Sequence, residues 1–309
     1  VGSAPAPGAG TLYVVATPIG NLDDVTLRAV RVLGEVDVVA AEDTRRTRVL
    51  LDHLGLRKPL VAYYDAVESR RAPELVGRLL AGESVAIVSD AGTPLVADPG
   101  FRLVRAAVEA GVPVVPIPGA SAPLALLACS GLPTGRFSFV GFLPSRATAR
   151  RREIQALAGR GDTLVFFESP KRLVATLGDL AEILGPREAA VGRELTKRFE
   201  EVARGTLDEL SARFAERAAT SSVKGEIAIA VGGAPEGAGS SRAVVPGAGA
   251  TAEGGPVDGG AAGVDRRLRL LLDAGESVSE AARRVAADTG QPRKRVYRRA
   301  LEIGGDRGA

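Results

Sequence analysis

Short runs rich in β-branched residues recur along the first third of the chain, separated by stretches in which apolar positions return every three or four residues. The runs predict strands near 12–16, 37–41, 60–63, 85–89 and 113–117, and the longer periodic stretches predict helices near 25–33, 44–54, 70–81 and 100–110. Phe101-Arg102-Leu103-Val104-Arg105-Ala106-Ala107-Val108 carries its apolar residues at helical spacing and meets a stop at Gly111. Strand and helix in alternation imply an α/β domain with a mostly parallel sheet over residues 11–118.

The pattern changes over 119–232. A helix is expected from Ser121 to just before Gly131-Leu132-Pro133, then a strand at Thr163–Phe167, a helix over 171–184 and a strand over 189–191. Further strands are expected at Glu200–Arg204 and Glu226–Val231, with a helix at 206–217 between them. Longer, polar-flanked strands suggest a second α/β domain with a mixed sheet. Residues 233–263, rich in Gly, Pro, Ala and Ser without apolar period, read as a flexible linker. Periodicity returns over 264–303. Leu268, Leu271 and Leu272 fit one helix face, and Val278, Ala281, Ala282 and Val285 fit a second. Ser277 with Glu280 is a capping-box signature. Pro292 suits the first turn of a third helix bearing Val296, Tyr297 and Leu301. A small C-terminal helical bundle is expected.

Composition narrows the chemistry. The chain has 309 residues, one cysteine, one histidine and a net charge of +3. A Cys/His zinc site and an internal disulfide are excluded by count, no metal ligands are proposed, and His53 has no serine in a nucleophile-elbow pattern near it. No apolar run approaches the roughly 20 residues a membrane helix needs, and the opening Val1-Gly2-Ser3-Ala4-Pro5 lacks a signal pattern, so a cytoplasmic protein is expected.

Three glycine- and proline-rich loops each follow a predicted strand: Thr17-Pro18-Ile19-Gly20-Asn21, Ser89-Asp90-Ala91-Gly92-Thr93-Pro94 and Pro118-Gly119-Ala120-Ser121-Ala122. In parallel sheets ligands bind beyond the carboxyl ends of the strands, where such loops lie. With Ala41-Glu42-Asp43-Thr44-Arg45, Ser130-Gly131-Leu132-Pro133-Thr134, Gly141-Phe142-Leu143-Pro144, Phe167-Glu168-Ser169-Pro170 and Arg193-Glu194-Leu195-Thr196-Lys197, the chain resembles the tetrapyrrole (corrin/porphyrin) methylase superfamily. Within it, the chain is most similar to the 16S ribosomal RNA (cytidine-2′-O)-methyltransferases, over roughly residues 10–232, departing slightly at Leu95-Val96-Ala97 and Ala120.

The resemblance implies S-adenosylmethionine as methyl donor in a cleft between two α/β domains, a homodimer, and 16S ribosomal RNA or the small ribosomal subunit as partner. It maps donor contacts onto Pro18, Asp90, Ala91, Gly92, Thr93, Ala120, Ser121 and Phe167. Asp90 has an alternative as a turn cap and Ser121 as a helix N-cap. The absence of a suitably placed G-x-G-x-x-G separates the chain from Rossmann-type donors' sites.

A ribose hydroxyl needs a base or a nearby cation to become nucleophilic. Glu42 and Asp43, at a strand end, are candidate bases expected to point to the cleft, and Lys197 a candidate cation; Arg45 is a candidate phosphate contact. Two basic clusters suit RNA: Arg146, Arg150, Arg151 and Arg152, and, on the last helix around Tyr297, Arg293, Lys294, Arg295 and Arg298 with Arg299. Either would otherwise be a solvated helix face. Two further readings remain: a porphyrinoid methyltransferase of the same fold, which has no use for a basic tail, and a non-catalytic nucleic-acid-binding protein, which leaves the three loops without purpose.

Overall fold

The computed structural model describes residues 8–235, 264, 265, 268, 271, 272, 277–289 and 291–305. Most of the expected linker, residues 236–263, lies outside them. The chain forms two compact units, residues 1–242 and 243–309.

The first unit begins with five strands: β1 (Leu12–Val15), β2 (Val38–Ala41), β3 (Leu60–Ala62), β4 (Val85–Val88) and β5 (Val114–Ile117). They form a parallel sheet in the order β3-β2-β4-β1-β5. Helices α1 (Leu27–Glu35), α2 (Thr44–His53), α3 (Asp65–Leu80) and α4 (Phe101–Glu109) connect them. The central strands are apolar at every position because both faces are covered. Leu12, Val38, Ala40 and Ile87 face a core shared with α3 and α4. Val15, Val39, Ala41 and Val88 face one shared with α1. From β2 the chain leaves toward β3, and from β4 toward β5 on the opposite side. The strand order therefore reverses between β2 and β4, which opens a crevice at their carboxyl ends.

A second sheet follows α5 (Ala122–Ser130). Its strands β6 (Phe137–Phe142), β7 (Thr163–Glu168), β8 (Glu188–Arg193), β9 (Glu201–Thr206) and β10 (Ile227–Val231) run in the order β6-β7-β10-β8-β9. Only β6 and β7 are parallel neighbours; β10 runs antiparallel to both β7 and β8, and β9 to β8. One face packs on α6 (Ala147–Leu157), α7 (Leu173–Leu184) and α8 (Leu207–Thr220) through Leu164, Phe166, Ile154, Leu177 and Phe214. The other packs on α5 through Val165, Ala190 and Ala228, a core that Ile19 from the first half joins. Thr206 and Glu209 close a reciprocal capping box on α8.

The structure departs from expectation in several elements. Neither β6 nor α6 was foreseen, and α3 starts at Asp65 rather than near 70. Ser121 stands at the N-cap of α5 yet makes no capping hydrogen bond. In the second unit, Val264, Leu268, Ala281, Ala282, Val285, Val296 and Ala300 form a separate core, with Leu271 and Leu272 against it. Among the described residues, 264, 265, 268, 271 and 272 are helical, and two further helices follow, α9 (Val278–Thr289) and α10 (Arg293–Gly305). Ser277 caps α9 by accepting from the Glu280 amide. Pro292 precedes α10 rather than opening it, and its carbonyl accepts from the Arg295 amide. Among the described residues, no helix is long and apolar enough to cross a membrane.

Candidate active site

The loops at the ends of both sheets meet around a cleft of about 440 Å³, within the size range of small-molecule sites. From the first sheet come Ile19 after β1, Glu42 and Arg46 at the β2–α2 junction, and Asp90, Ala91, Ala97 and Asp98 after β4. From the second come Ala122, Phe142, Phe167, Glu168, Leu195 and the entry to β10 from Gly225 to Ala228. Because β10 is antiparallel to β7 and β8, its first residues lie where those strands end.

Local hydrogen bonds fix the loops. The amide of Thr17 donates to Gly92 O at 2.8 Å, and that of Gly92 returns a bond to Thr17 O at 3.0 Å. The Thr93 hydroxyl donates to Ala120 O at 3.3 Å, joining the second loop to the third. At the crevice between β2 and β4 the clip is reciprocal. The Asp90 amide donates to Glu42 Oε2 at 3.3 Å, while the Asp43 amide donates to Asp90 Oδ1 at 2.9 Å. Arg46 adds an ion pair to Asp90 at 3.4 Å.

The electrostatics are acidic: Glu42, Asp90, Asp98, Glu168 and Glu226 line the cleft, against the single base Arg46. Glu168 is consumed internally, accepting from Arg172 at 2.7 Å and from the Thr176 hydroxyl at 2.6 Å. Burial, countered in part by the Asp90 amide and reinforced by the Asp90 and Asp65 charges, pushes the Glu42 carboxyl above the usual range. Burial and then the Glu42 charge push Asp98 up to about 6.

Of the predicted site residues, Glu42, Asp90, Ala91 and Phe167 line the cleft. Pro18, Gly92, Thr93, Ala120 and Ser121 belong to the stitched loops behind that surface. Asp43 corrects its expectation. It caps α2 by accepting from the Arg45 amide and pairs with the Arg45 guanidinium at 2.8 Å, both outside the cleft lining. Those bonds hold its carboxyl at about 2. Lys197 also stands one layer back, tied to Glu194 at 3.0 Å and Glu226 at 3.1 Å. Burial lowers its affinity for a proton, but the hydrogen bonds it donates to the two carboxylates outweigh this and raise it. Gly20 admits its stem: a Cβ there would fall 2.3 Å from Lys197 Cγ.

The first basic cluster splits. Arg146 and Arg152 are exposed and line an open depression with Pro144 and Thr148. Arg150, expected to face RNA, is instead only 5% exposed and paired with Asp179 at 2.6 Å. Arg151 binds Asp179 at 2.7 Å and also Glu182. On α10, Lys294, Arg295, Tyr297 and Arg298 are exposed, Arg299 pairs with Asp265 and Glu302, and the side chain of Arg293 lies outside the described residues. Sequence reasoning missed Asp98, Arg46, Leu195 and Glu226 as cleft residues.

An α/β fold of two sheets with a cleft at their strand ends has counterparts among solved structures. Uroporphyrin-III-C-methyltransferase from Thermus thermophilus matches with a TM-score of 0.52 and 25% identity, over 72% of this chain and 94% of that one. A second structure of the Thermus enzyme, complexed with S-adenyl homocysteine, matches with a TM-score of 0.50 and 25% identity, over 72% and 97% of the respective chains. Residues 11–211 match Tetrapyrrole (Corrin/Porphyrin) Methylases, and residues 258–304 match the RsmI C-terminal HTH domain. Two proteins named ribosomal RNA small subunit methyltransferase I are similar over most of their length. That of Mesorhizobium japonicum is 47% identical over 94% of this chain and 92% of its own. That of Xylella fastidiosa (strain Temecula1) is 46% identical over 93% and 98%. The chain belongs to the tetrapyrrole methylase family and, within it, to the group of ribosomal RNA small subunit methyltransferase I.

Proposed function

We propose that this protein methylates the ribose 2′-oxygen of a cytidine in the decoding region of 16S ribosomal RNA, with S-adenosylmethionine as donor. The cleft carries this reading: it has room for an adenosyl group, small apolar walls at Ile19, Ala91 and Leu195, and an excess of carboxylates suited to a cationic sulfonium and ammonium. Relatives named as ribosomal RNA methyltransferases support RNA as the substrate.

When bound, S-adenosylmethionine supplies a methyl group already activated by its positive sulfur. The chain's own task is then to orient the hydroxyl and take its proton. Asp90, Ala91 and the stitched loops behind them would hold the donor. Glu42 is the proposed proton acceptor, with Asp98 beside it in the same wall; burial raises the proton affinity of both, which makes each a stronger base than a free carboxylate. Lys197 would fix Glu226 rather than touch the hydroxyl. Arg146, Arg152 and the exposed cations of α10 would bind phosphates.

The proposed division of labour has two α/β domains at 11–118 and 119–232 building the cleft, a linker at 233–263 and an RNA-binding bundle at 264–303. A homodimer working in the cytoplasm completes the reading. Phe101 and Val108, exposed on one face of α4, suit a dimer contact.

The test is incubation with labelled donor and unmodified small ribosomal subunits, followed by digestion to nucleosides. Label in 2′-O-methylcytidine is expected; label in a base, or none, refutes the proposal. Glu42→Gln should slow turnover roughly tenfold or more with donor affinity retained. Unchanged turnover removes Glu42 as the base.

A further inference from the structure

We infer that Phe142 is the platform on which the target cytosine stacks, presenting its ribose to the cleft. The inference rests on the RNA reading above and adds a residue that selects and seats the substrate.

The argument begins with a defect in β6. Side chains of a strand alternate between faces, so Phe139 and Phe142, three apart, should point to opposite sides. The β6–β7 register shifts between Phe139 and Gly141: Phe139 pairs with Val165, Gly141 with Phe166 and Phe142 with Phe167. One extra residue, Val140, is accommodated as a bulge next to Gly141, whose φ of 78° favours glycine. The bulge returns Phe142 to the face of Phe139, Val165 and Phe167. Without it Phe142 would join the opposite core, which already holds Val140, Leu143 and Phe166. A bulge that re-aims one side chain into a cleft is a feature of function more than of packing.

The re-aimed ring is braced but not covered. Phe139 meets Phe167 edge-on at 5.0 Å between ring centres, and Phe167 meets Phe142 at 5.5 Å. Phe142 nonetheless remains 56% exposed. A large apolar ring, held in place and left open at the rim of a cleft, suits stacking against a planar partner.

Position decides which partner. Phe142 lies at the end of β6, the edge strand of its sheet. The chain runs from it through Leu143 directly into Pro144, Arg146 and Arg152, which border an open depression where two arginines outnumber the one carboxylate, Glu153. A phosphate backbone held by those arginines would bring a base to Phe142. Of the apolar walls that suit the donor's adenosyl group, Ile19 and Ala91 come from the other sheet, and Leu195 follows β8, which is separated from β6 by β7 and β10.

The test uses the full chain, labelled S-adenosylmethionine and unmodified small ribosomal subunits. Phe142→Ala should lower kcat/KM for the RNA about 5- to 150-fold, the range one stacked base contributes. Phe142→Leu, which keeps apolar bulk without a π face, should be nearly as poor, and Phe142→Tyr should recover to within about threefold of the parent. Donor affinity by calorimetry and the melting temperature should hold in all three. Unchanged RNA kinetics in Phe142→Ala, parental kinetics in Phe142→Leu, or a donor affinity that falls in step with kcat/KM would each overturn the inference. A parent chain that leaves RNA unlabelled would refute the function itself and the platform with it, a result distinct from any of these.

Discussion

Replacing Asp98 by asparagine should stabilise the protein, and only where the carboxyl would otherwise be charged. Asp98 sits in the loop between β4 and α4, which is not free to relax. Leu95 and Ala97 hold left-handed conformations at φ 71° and 67°. The buried Glu68 accepts from the amides of Gly100 at 2.9 Å and Arg102 at 3.3 Å and from the Tyr63 hydroxyl. Within this frame burial, then the charge of Glu42, raises the carboxyl from 3.8 to about 6, against the pull of a hydrogen bond from Ser89. A raised acid keeps its proton in the folded chain where the unfolded chain has lost it. Stability therefore falls as pH rises from about 4 to about 6, and the penalty is complete above that window. Roughly two pKa units correspond to about 3 kcal/mol; solvent reaching the half-buried group reduces this to about 1–2 kcal/mol. Asp98→Asn should thus gain about 1–2 kcal/mol at about pH 8 and close to nothing at about pH 4. The chain has no tryptophan, so urea unfolding at both pH values is followed by circular dichroism. An equal gain at both, or a loss at the higher pH, would refute the electrostatic reasoning.

Other perturbations follow from the same geometry. Arg150→Ala leaves Asp179 buried with only Arg151 to answer it, and should cost about 3 kcal/mol; thermal melting checks it, and an unchanged midpoint would contradict a buried pair. Gly10→Ala would put a Cβ 1.9 Å from the carbonyl oxygen of Glu83, a backbone clash that no rotamer relieves. Its soluble yield and melting point should fall sharply, and a parental melting curve would show that the β1 approach is looser than described. Changing Lys294, Arg295 and Arg298 together to glutamine should flatten the slope of log Kd for RNA against log salt by about 2, with donor affinity intact; an unchanged slope would remove α10 from the RNA surface.

How far the site could be read from sequence depends on what fixes each residue's direction. Strand ends follow from apolar runs, so Glu42, Asp90 and Phe167 were legible at the cleft. Which neighbour faces inward was not. Glu42 and Asp43 are adjacent, but Asp43 is taken by the amide of Arg45 as a helix cap, and only the structure shows that this turns it from the cleft. Arg45 and Arg46 differ in the same way, one turned to solvent and one to Asp90. Asp98 reaches the cleft through left-handed turns at leucine and alanine, which no glycine announces. The helix α6 escaped notice because one of its two buried positions is Arg150 instead of an apolar residue, which blurs the helical period. The strand β6 escaped because its bulge breaks the period of two.

The sign of the cleft also constrains how RNA is engaged on the proposed reading. Glu42, Asp90 and Asp98 face the cleft with Arg46 as its one lining cation, an excess of acid that attracts a cationic donor and repels a polyanionic strand. A strand laid along the floor would set phosphates against Glu42, Asp90 and Asp98, in a setting partly shielded from water where like charges are expensive. A nucleoside carries no charge of its own, so it is the part of RNA that the cleft admits. The phosphates on either side must then stay outside, and the exposed arginines stand outside, at Arg146 and Arg152 beyond Phe142. An acidic interior with basic residues beyond its rim thus sorts the two substrates by charge, and it requires the target nucleotide to leave its stack before the hydroxyl can meet Glu42.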